Sequence, residues 1–277
     1  MSGKELRLST FLDPIDGRSL LLEADYGLML GHFEKELNLR DVLSRAINAG
    51  VDGVIISRGM VKRLSELFLG RRAPALLLRA DWTNVWRGGT HPLPAREHRY
   101  MSLTDAEDAM RMGASALVAY LFLGYRTDYD DARNVEALSE LALKCDEWDL
   151  PLLVEAIPAG ERVVRENYLD ALGLVMRIAV EIGASCVAVP YPGDMASLKK
   201  LVDSCQVPLL LLEELEAGVS RWQPSYDVLQ IAQEALEMGV SGFVLGLSTL
   251  LSEDMEERVR KLREVVHGGE PNGGQGA

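Results

Sequence analysis

The sequence predicts an α/β protein, a single (β/α)8 TIM barrel, and three observations carry that reading. Eight short apolar runs recur along the chain, amphipathic stretches with helix-capping residues separate them, and the length of 277 residues suits one such barrel. Strands that alternate with helices form a parallel sheet, and a barrel of this kind presents its reacting groups at the C-terminal ends of the strands. The functional candidates therefore reduce to the residues that end each run.

In order, the runs are SLLLEAD (19–25), DGVIIS (52–57), PALLLRAD (74–81), SALVAYL (115–121), PLLVEA (151–156), SCVAVP (185–190), VPLLLLEE (207–214) and SGFVLG (241–246). Between the first two, Asn38 caps a helix that runs to Ala49 and stops at Gly50. Thr104-Asp-Ala-Glu107 has the form of a capping box, with its helix running to Gly113. Further helices are expected over 129–148, 162–182 and 225–238, the last two ending at Gly183 and Gly239, and Asp194 reads as an N-cap. The segment 82–103 breaks the rhythm: it is rich in Gly and Pro, carries Trp82, Trp86 and Tyr100, and reads as a long loop on the active face. Its aromatic residues suit packing onto the barrel, with stacking on a sugar or closing a lid as the alternative. Residues 1–267 form the barrel domain and 268–277 a disordered tail.

Composition excludes several classes of function. With 48% hydrophobic residues the chain can bury a large core, yet its apolar runs are far shorter than a membrane helix needs, and its N-terminus lacks the apolar stretch of an export signal. Cys145, Cys186 and Cys205 show no CxxC spacing, which points away from a zinc site or a disulfide framework and toward a reducing, cytoplasmic setting. A net charge of −13 argues against nucleic acid and anionic membranes as partners.

Side-chain alternation puts Glu23 and Asp25 on one face of the first strand, and Glu155 ends the fifth. An interior carboxylate needs a partner, a proton or a metal, so Asp25 and Glu155 are the candidate catalytic residues. Near the other strand ends stand Ser57, Arg58, Tyr120, Asp194 and Glu214, together with the candidate substrate contacts Arg79, Asp81, Tyr191, Glu213 and Ser248. For each, a cap or a solvated loop position is the bland alternative. His32, His91, His98 and His267 read as loop or tail residues, so no metal-ligand set is assigned.

GRSLLLEADYGLMLG followed by DVLSRAINAGVDGVIISRGMVKR resembles the opening of the DeoC/LacD class I aldolases, in particular the archaeal-type fructose-bisphosphate aldolases and their aminodeoxy-heptulosonate synthase relatives. The likeness continues through PLLVEAIPAG, EIGASCVAVPYPGD and ALEMGVSGFVLG and spans about residues 7–266. It implies a barrel and a ring-shaped homo-oligomer. It also implies a lysine on the sixth strand that forms a Schiff base, and here Ala188 stands in that position. The family's strand-five Tyr-Pro-Arg-Gly is matched by Ile157-Pro-Ala-Gly160, its Asp-His-Gly by Asp25-Tyr26-Gly27, its phosphate-binding Gly-Gly by Glu213-Glu214, and its Gly-Arg-Asn by Gly246-Leu-Ser248. Of the imine and phosphate machinery, only the proton-transferring aspartate, Asp25, is retained.

A methyl side chain cannot form an imine, and Lys4, Lys35, Lys62, Lys144, Lys199, Lys200 and Lys261 all fall outside the expected strands. Two readings follow. In one, the barrel is a non-catalytic or repurposed protein that binds a small, carbohydrate-like metabolite, without a cofactor. In the other, it is a carbon–carbon lyase that acts on a sugar-derived carbonyl compound, with Asp25, Glu155 and Glu23 or Glu213 working as acid and base or holding a divalent metal.

Overall fold

A computed structural model describes residues 2–31, 38–213, 222 and 225–268. Eight parallel strands close into a barrel: β1 (Ser19–Glu23), β2 (Gly53–Ile56), β3 (Ala75–Arg79), β6 (Ala116–Leu123), β7 (Leu152–Pro158), β8 (Cys186–Val189), β9 (Leu209–Leu212) and β10 (Gly242–Leu245). Two further strands, β4 (Asp81–Thr83) and β5 (Tyr100–Ser102), pair antiparallel and lie outside the barrel. The helices are α1 (Gly3–Leu8), α2 (Tyr26–Leu30), α3 (Leu39–Ala49), α4 (Arg58–Val61), α5 (Ala106–Arg111), α6 (Asp128–Glu147), α7 (Tyr168–Ile182), α8 (Met195–Ser204), α9 (Val228–Glu237), α10 (Leu247–Leu250) and α11 (Met255–His267).

All eight expected runs are barrel strands. The barrel closes between β10 and β1, where Ser19 stands in register with Gly242. Gly242 has φ +129, and a Cβ there would lie 1.8 Å from the Ser19 carbonyl oxygen, so only glycine lets the seam close. Inward and outward residues alternate as the pleat dictates. Leu21, Leu77, Leu153, Cys186, Ala188, Leu210 and Val244 form one cluster inside the barrel, whereas Leu20, Leu76, Val154, Val187 and Leu211 pack beneath the helices.

Both ends of the barrel are covered. At the N-terminal end, α1 is tied to the end of α6 by an ion pair between Lys4 and Asp146 and by Arg7 donating to the Asp149 carbonyl. Phe11 and Leu12 then plug the interior cluster. The C-terminal end is covered by the β4–β5 hairpin, the main departure from the expected loop. Asp81, Trp82 and Thr83 pair with Ser102, Met101 and Tyr100, so the third apolar run turns out of the barrel after Arg79.

Most helix ends match, with two shifts: α7 begins at Tyr168, after a 3-10 turn over Arg165–Asn167, and not at residue 162. Asn38 accepts from the Asp41 amide, Gly50 and Gly183 take left-handed conformations, and Asp194 accepts from both the amide and the hydroxyl of Ser197. In α5, however, the cap is Asp105, which accepts from Asp108, and not Thr104. Either residue has a suitable side chain, but Thr104 is buried and its amide donates to the Ala80 carbonyl. No described helix is long and apolar enough to cross a membrane. Residues 269–277 of the expected tail and the residues His32, Lys35 and Glu214 lie outside the described residues.

Candidate functional site

Inward positions at the C-terminal ends of β1 and β3 and in the middle of β6 and β7 bring Glu23, Arg79, Tyr120 and Glu155 together in the barrel centre, all buried; Glu155 does not end its strand, which runs on to Pro158. Arg79 organises them. Its Nη2 donates to Glu23 Oε1 at 2.6 Å, its Nη1 to Glu155 Oε2 at 2.8 Å, and its Nε to the Asp25 carboxylate. Asp81 Oδ1 lies 3.8 Å from Nη1, and the guanidinium carbon stands 4.0 Å from the centre of the Tyr120 ring. Tyr120 and Tyr26 both donate their hydroxyls to Glu23. Asp25 occupies the N-cap position of α2 but makes no capping bond, because its side chain turns to Arg79 instead.

One cation thus faces four carboxyl groups in a space that excludes water. Burial pushes Glu23 well above the ordinary carboxylate range, with the Glu155 and Asp25 charges adding to it. Burial likewise raises Glu155, and raises Asp81 to about 7. Burial alone would lower Arg79, but the charges of Asp25 and Glu155 outweigh it and hold the guanidinium above its ordinary value. The centre therefore holds its protons to higher pH than free carboxyls do.

That has a measurable consequence. Unfolded carboxyls release their protons near pH 4, while folded Glu23, Glu155 and Asp81 retain theirs to higher pH. Between these limits the folded state binds more protons, so stability falls as pH rises, and the Asp81 share is spent by about pH 7. The urea midpoint is expected to be higher at about pH 5.5 than at about pH 8, and Asp81→Asn should flatten the slope. A midpoint that climbs with pH would mean the carboxyls are ionised throughout.

The mouth above this centre is filled. Trp86 is buried, with its ring 5.7 Å from Tyr120, 6.4 Å from Phe122 and edge-on to Tyr26 at 6.5 Å. Trp82 Nε1 donates to the Leu28 carbonyl and Arg87 Nε to that of Met29, which pins the hairpin segment to α2. Packing onto the barrel is thus what these aromatic residues do.

Glu213 also has a specific place. Its carboxylate accepts from the amides of Gly246 and Thr249 at 2.8 and 3.0 Å and from the Thr249 hydroxyl at 2.7 Å, with Arg258 Nη2 at 3.4 Å. Backbone amides after the last strand are the groups an anion would seek, and here the protein's own carboxylate engages them. Ser248 is exposed on α10, and Tyr191 packs in the outer core against Tyr226, with ring centres 5.0 Å apart. The structure therefore gathers Asp25, Glu155, Arg79 and Asp81, and leaves Tyr191, Glu213 and Ser248 outside that group.

Ala188 faces the barrel interior beside Glu155, its register partner on β7. Among the described residues, no lysine lies there. Lys62 is exposed just past α4, Lys4 pairs at the opposite end of the barrel, and Lys144, Lys199, Lys200 and Lys261 lie on helix surfaces. A divalent cation held by Asp25 and Glu155 finds no place either, since the Arg79 guanidinium fills the position between them.

Sequence reasoning missed two features. One is a cleft of about 380 Å³ at the C-terminal end, between the hairpin, the β6–α6 turn and the residues after β7. Arg96, Arg99, Arg126, Asp130 and Glu161 line it, and Tyr125 and His98 form an aromatic wall with ring centres 5.2 Å apart. The other concerns His267, which is not a tail residue. It ends α11 and sits between Asp16 and Asp52. The run REHR (96–99) marks the cleft only as a charged stretch, and the partners of His267 are 251 and 215 residues away in sequence.

Comparison with known proteins agrees with this architecture. The chain is 29% identical to an uncharacterized aldolase of Saccharolobus solfataricus over 96% of its own length and 95% of the relative's. It is 27% identical to the class 1 fructose-bisphosphate aldolase of Thermoproteus tenax, with 91% of each chain covered. It is 26% identical to a 2-amino-3,7-dideoxy-D-threo-hept-6-ulosonate synthase of Archaeoglobus fulgidus, covering 97% of this chain and 92% of that one. The crystal structure of an archaeal fructose 1,6-bisphosphate aldolase superposes with a TM-score of 0.75 at 25% identity, covering 96% of this chain and 99% of the other. In a related structure the catalytic lysine is covalently bound to the carbinolamine intermediate of the substrate. With residues 19–252 matching the DeoC/LacD family aldolases and the barrel aligned with theirs throughout, the chain belongs to that family.

Proposed function

We propose that this barrel has given up Schiff-base chemistry and serves as a small-metabolite-binding protein. The observation that carries the reading is the barrel centre itself: at the position where the family resemblance expects the imine lysine stands the Ala188 methyl, and the adjoining space is filled by Arg79 bonded to Glu23, Asp25 and Glu155. A sugar phosphate has lost its anchor as well, because the Glu213 carboxylate engages the amides after β10.

The rim cleft is the binding site in this reading. A volume of about 380 Å³ suits a small ligand. The guanidinium and carboxylate groups that line the cleft with Tyr125 and His98 offer hydrogen bonds to vicinal hydroxyls and an aromatic face for a sugar ring. Burial lowers the pKa of His98, which keeps its ring neutral and able both to donate and to accept. An unphosphorylated, carbohydrate-like molecule fits these groups. A panel of such sugars should raise the melting temperature of the wild type by mass action. Arg126→Ala with Glu161→Gln should abolish that rise without altering the melting temperature of the free protein by more than about 1 °C, because surface changes of this kind cost little. A rise unchanged in the double variant, or no rise with any sugar, removes the reading.

One observation favours acid–base lyase chemistry as a second reading: Asp81 at about 7 is a carboxyl poised to hold or give a proton near neutrality, beside Glu155, which burial also raises. Cleavage of an unphosphorylated ketose, lost in Glu155→Gln, would establish it in place of the first.

A further inference from the structure

A cluster on the opposite face of the barrel plays no part in the site described above. We propose that Asp13, Asp16 and His267 form a binding site for a borderline divalent cation of the zinc type, which clamps the C-terminal helix α11 to the segment entering β1. One ligand atom from each residue lies within 4.8 Å of the other two. The nearest pair, His267 Nδ1 and Asp16 Oδ2, is 2.8 Å apart, and a tetrahedral shell with bonds of ~2.0 Å needs ~3.3 Å between ligand atoms. A small rotation of the Asp16 carboxyl supplies the difference.

An independent feature orients the imidazole. His267 Nε2 lies 2.9 Å from Asp52 Oδ2 and Nδ1 2.8 Å from Asp16 Oδ2, so a cation bound at Nδ1 displaces the proton shared with Asp16, while the one on Nε2 stays held by Asp52. Asp52 is itself fixed, since the same oxygen accepts the Leu20 amide at 2.7 Å and Arg263 Nη1 lies 3.3 Å from its other oxygen. A carboxylate behind one ring nitrogen, with the other facing the ligand set, is the arrangement that metal-binding histidines use. Asp13 and Asp16 each commit one oxygen to a backbone amide two residues on, Ile15 and Arg18, which sets the direction of the second. One imidazole with two carboxylates suits zinc, cobalt or nickel over magnesium or calcium, which prefer oxygen alone. Water or an exogenous ligand would complete the shell, since Asp16 borders solvent.

The location gives the cation a structural role. His267 is the last residue of α11, and Asp13 and Asp16 precede β1, the strand that closes the barrel against β10. A cation here would join the two ends of the chain across the seam.

The test uses the full-length, tag-free chain, stripped with chelator and titrated with cobalt(II) and zinc. The wild type should develop the visible absorption of a low-symmetry cobalt site at one equivalent, lose it to excess zinc, and melt higher with zinc but not with magnesium. Asp13→Asn, which leaves the His267–Asp52 contact in place, should weaken cobalt binding at least tenfold. Asp52→Asn should weaken it about tenfold through loss of ring orientation. His267→Ala should abolish the band, and its fold is checked independently by circular dichroism. No band in the wild type, or a band equally strong in Asp13→Asn or His267→Ala, overturns the proposal and leaves His267 as a protonated bridge between two aspartates.

Discussion

Arg79→Met is expected to lower the stability of the barrel by about 3–5 kcal/mol at pH 8, because it leaves buried carboxylates without their cation. Arg79 is the only described cation within hydrogen-bonding reach of Glu23, Asp25 and Glu155, and its side chain is wholly shielded from solvent. The methionine fills most of the volume, so the loss reports on charge more than on a cavity. Two features separate this from a generic core mutation. The penalty should shrink toward pH 5, where the stranded carboxyls can take up protons, and Glu23→Gln with Glu155→Gln in the Arg79→Met background should recover part of it. Urea unfolding at the two pH values measures both. A penalty below ~1 kcal/mol at pH 8 would show that the guanidinium does not hold the centre together.

The second large effect concerns Glu213. Glu213→Ala leaves the amides of Gly246 and Thr249 and the Thr249 hydroxyl without their acceptor, while Arg258 Nη2 keeps Asp227, at an expected cost of about 3 kcal/mol. It also frees donors for an anion. Inorganic phosphate should therefore raise the melting temperature of Glu213→Ala and leave that of the wild type almost unchanged, the difference growing with the logarithm of phosphate concentration. Equal stabilisation of both proteins would place phosphate elsewhere and would undo the reading of Glu213 as an internal substitute for a bound anion.

The barrel was legible in the sequence because its signal is local and repeated. Each strand is a short apolar run, and several helices carry their own caps, as Asn38, Asp194, Gly50 and Gly183 do. The inward carboxylates were legible for the same reason, since alternation along β1 and β7 fixes where Glu23 and Glu155 point. The hairpin was harder. Its strands hold three residues each and draw their stability from Trp82, Trp86 and Arg87 docked on α2 and the barrel mouth, contacts that no local pattern encodes. Arg79 was identified by position, but its role as partner to three carboxylates depends on strands that neighbour one another only once the sheet closes. Glu213 and His267 fall in the same class, because their partners come from distant segments.

The proposed loss of imine chemistry is tested most directly by borohydride reduction in the presence of dihydroxyacetone phosphate, followed by intact mass and peptide mapping. An amine that attacks the ketone and expels water gives an imine, which borohydride fixes as a stable secondary amine on that lysine. The wild type is predicted to keep its unmodified mass, while Ala188→Lys supplies the amine in the barrel and serves as the positive control if it folds. A stoichiometric adduct on the wild type, whether on Lys62, on Lys35 or on any other lysine, would contradict the account.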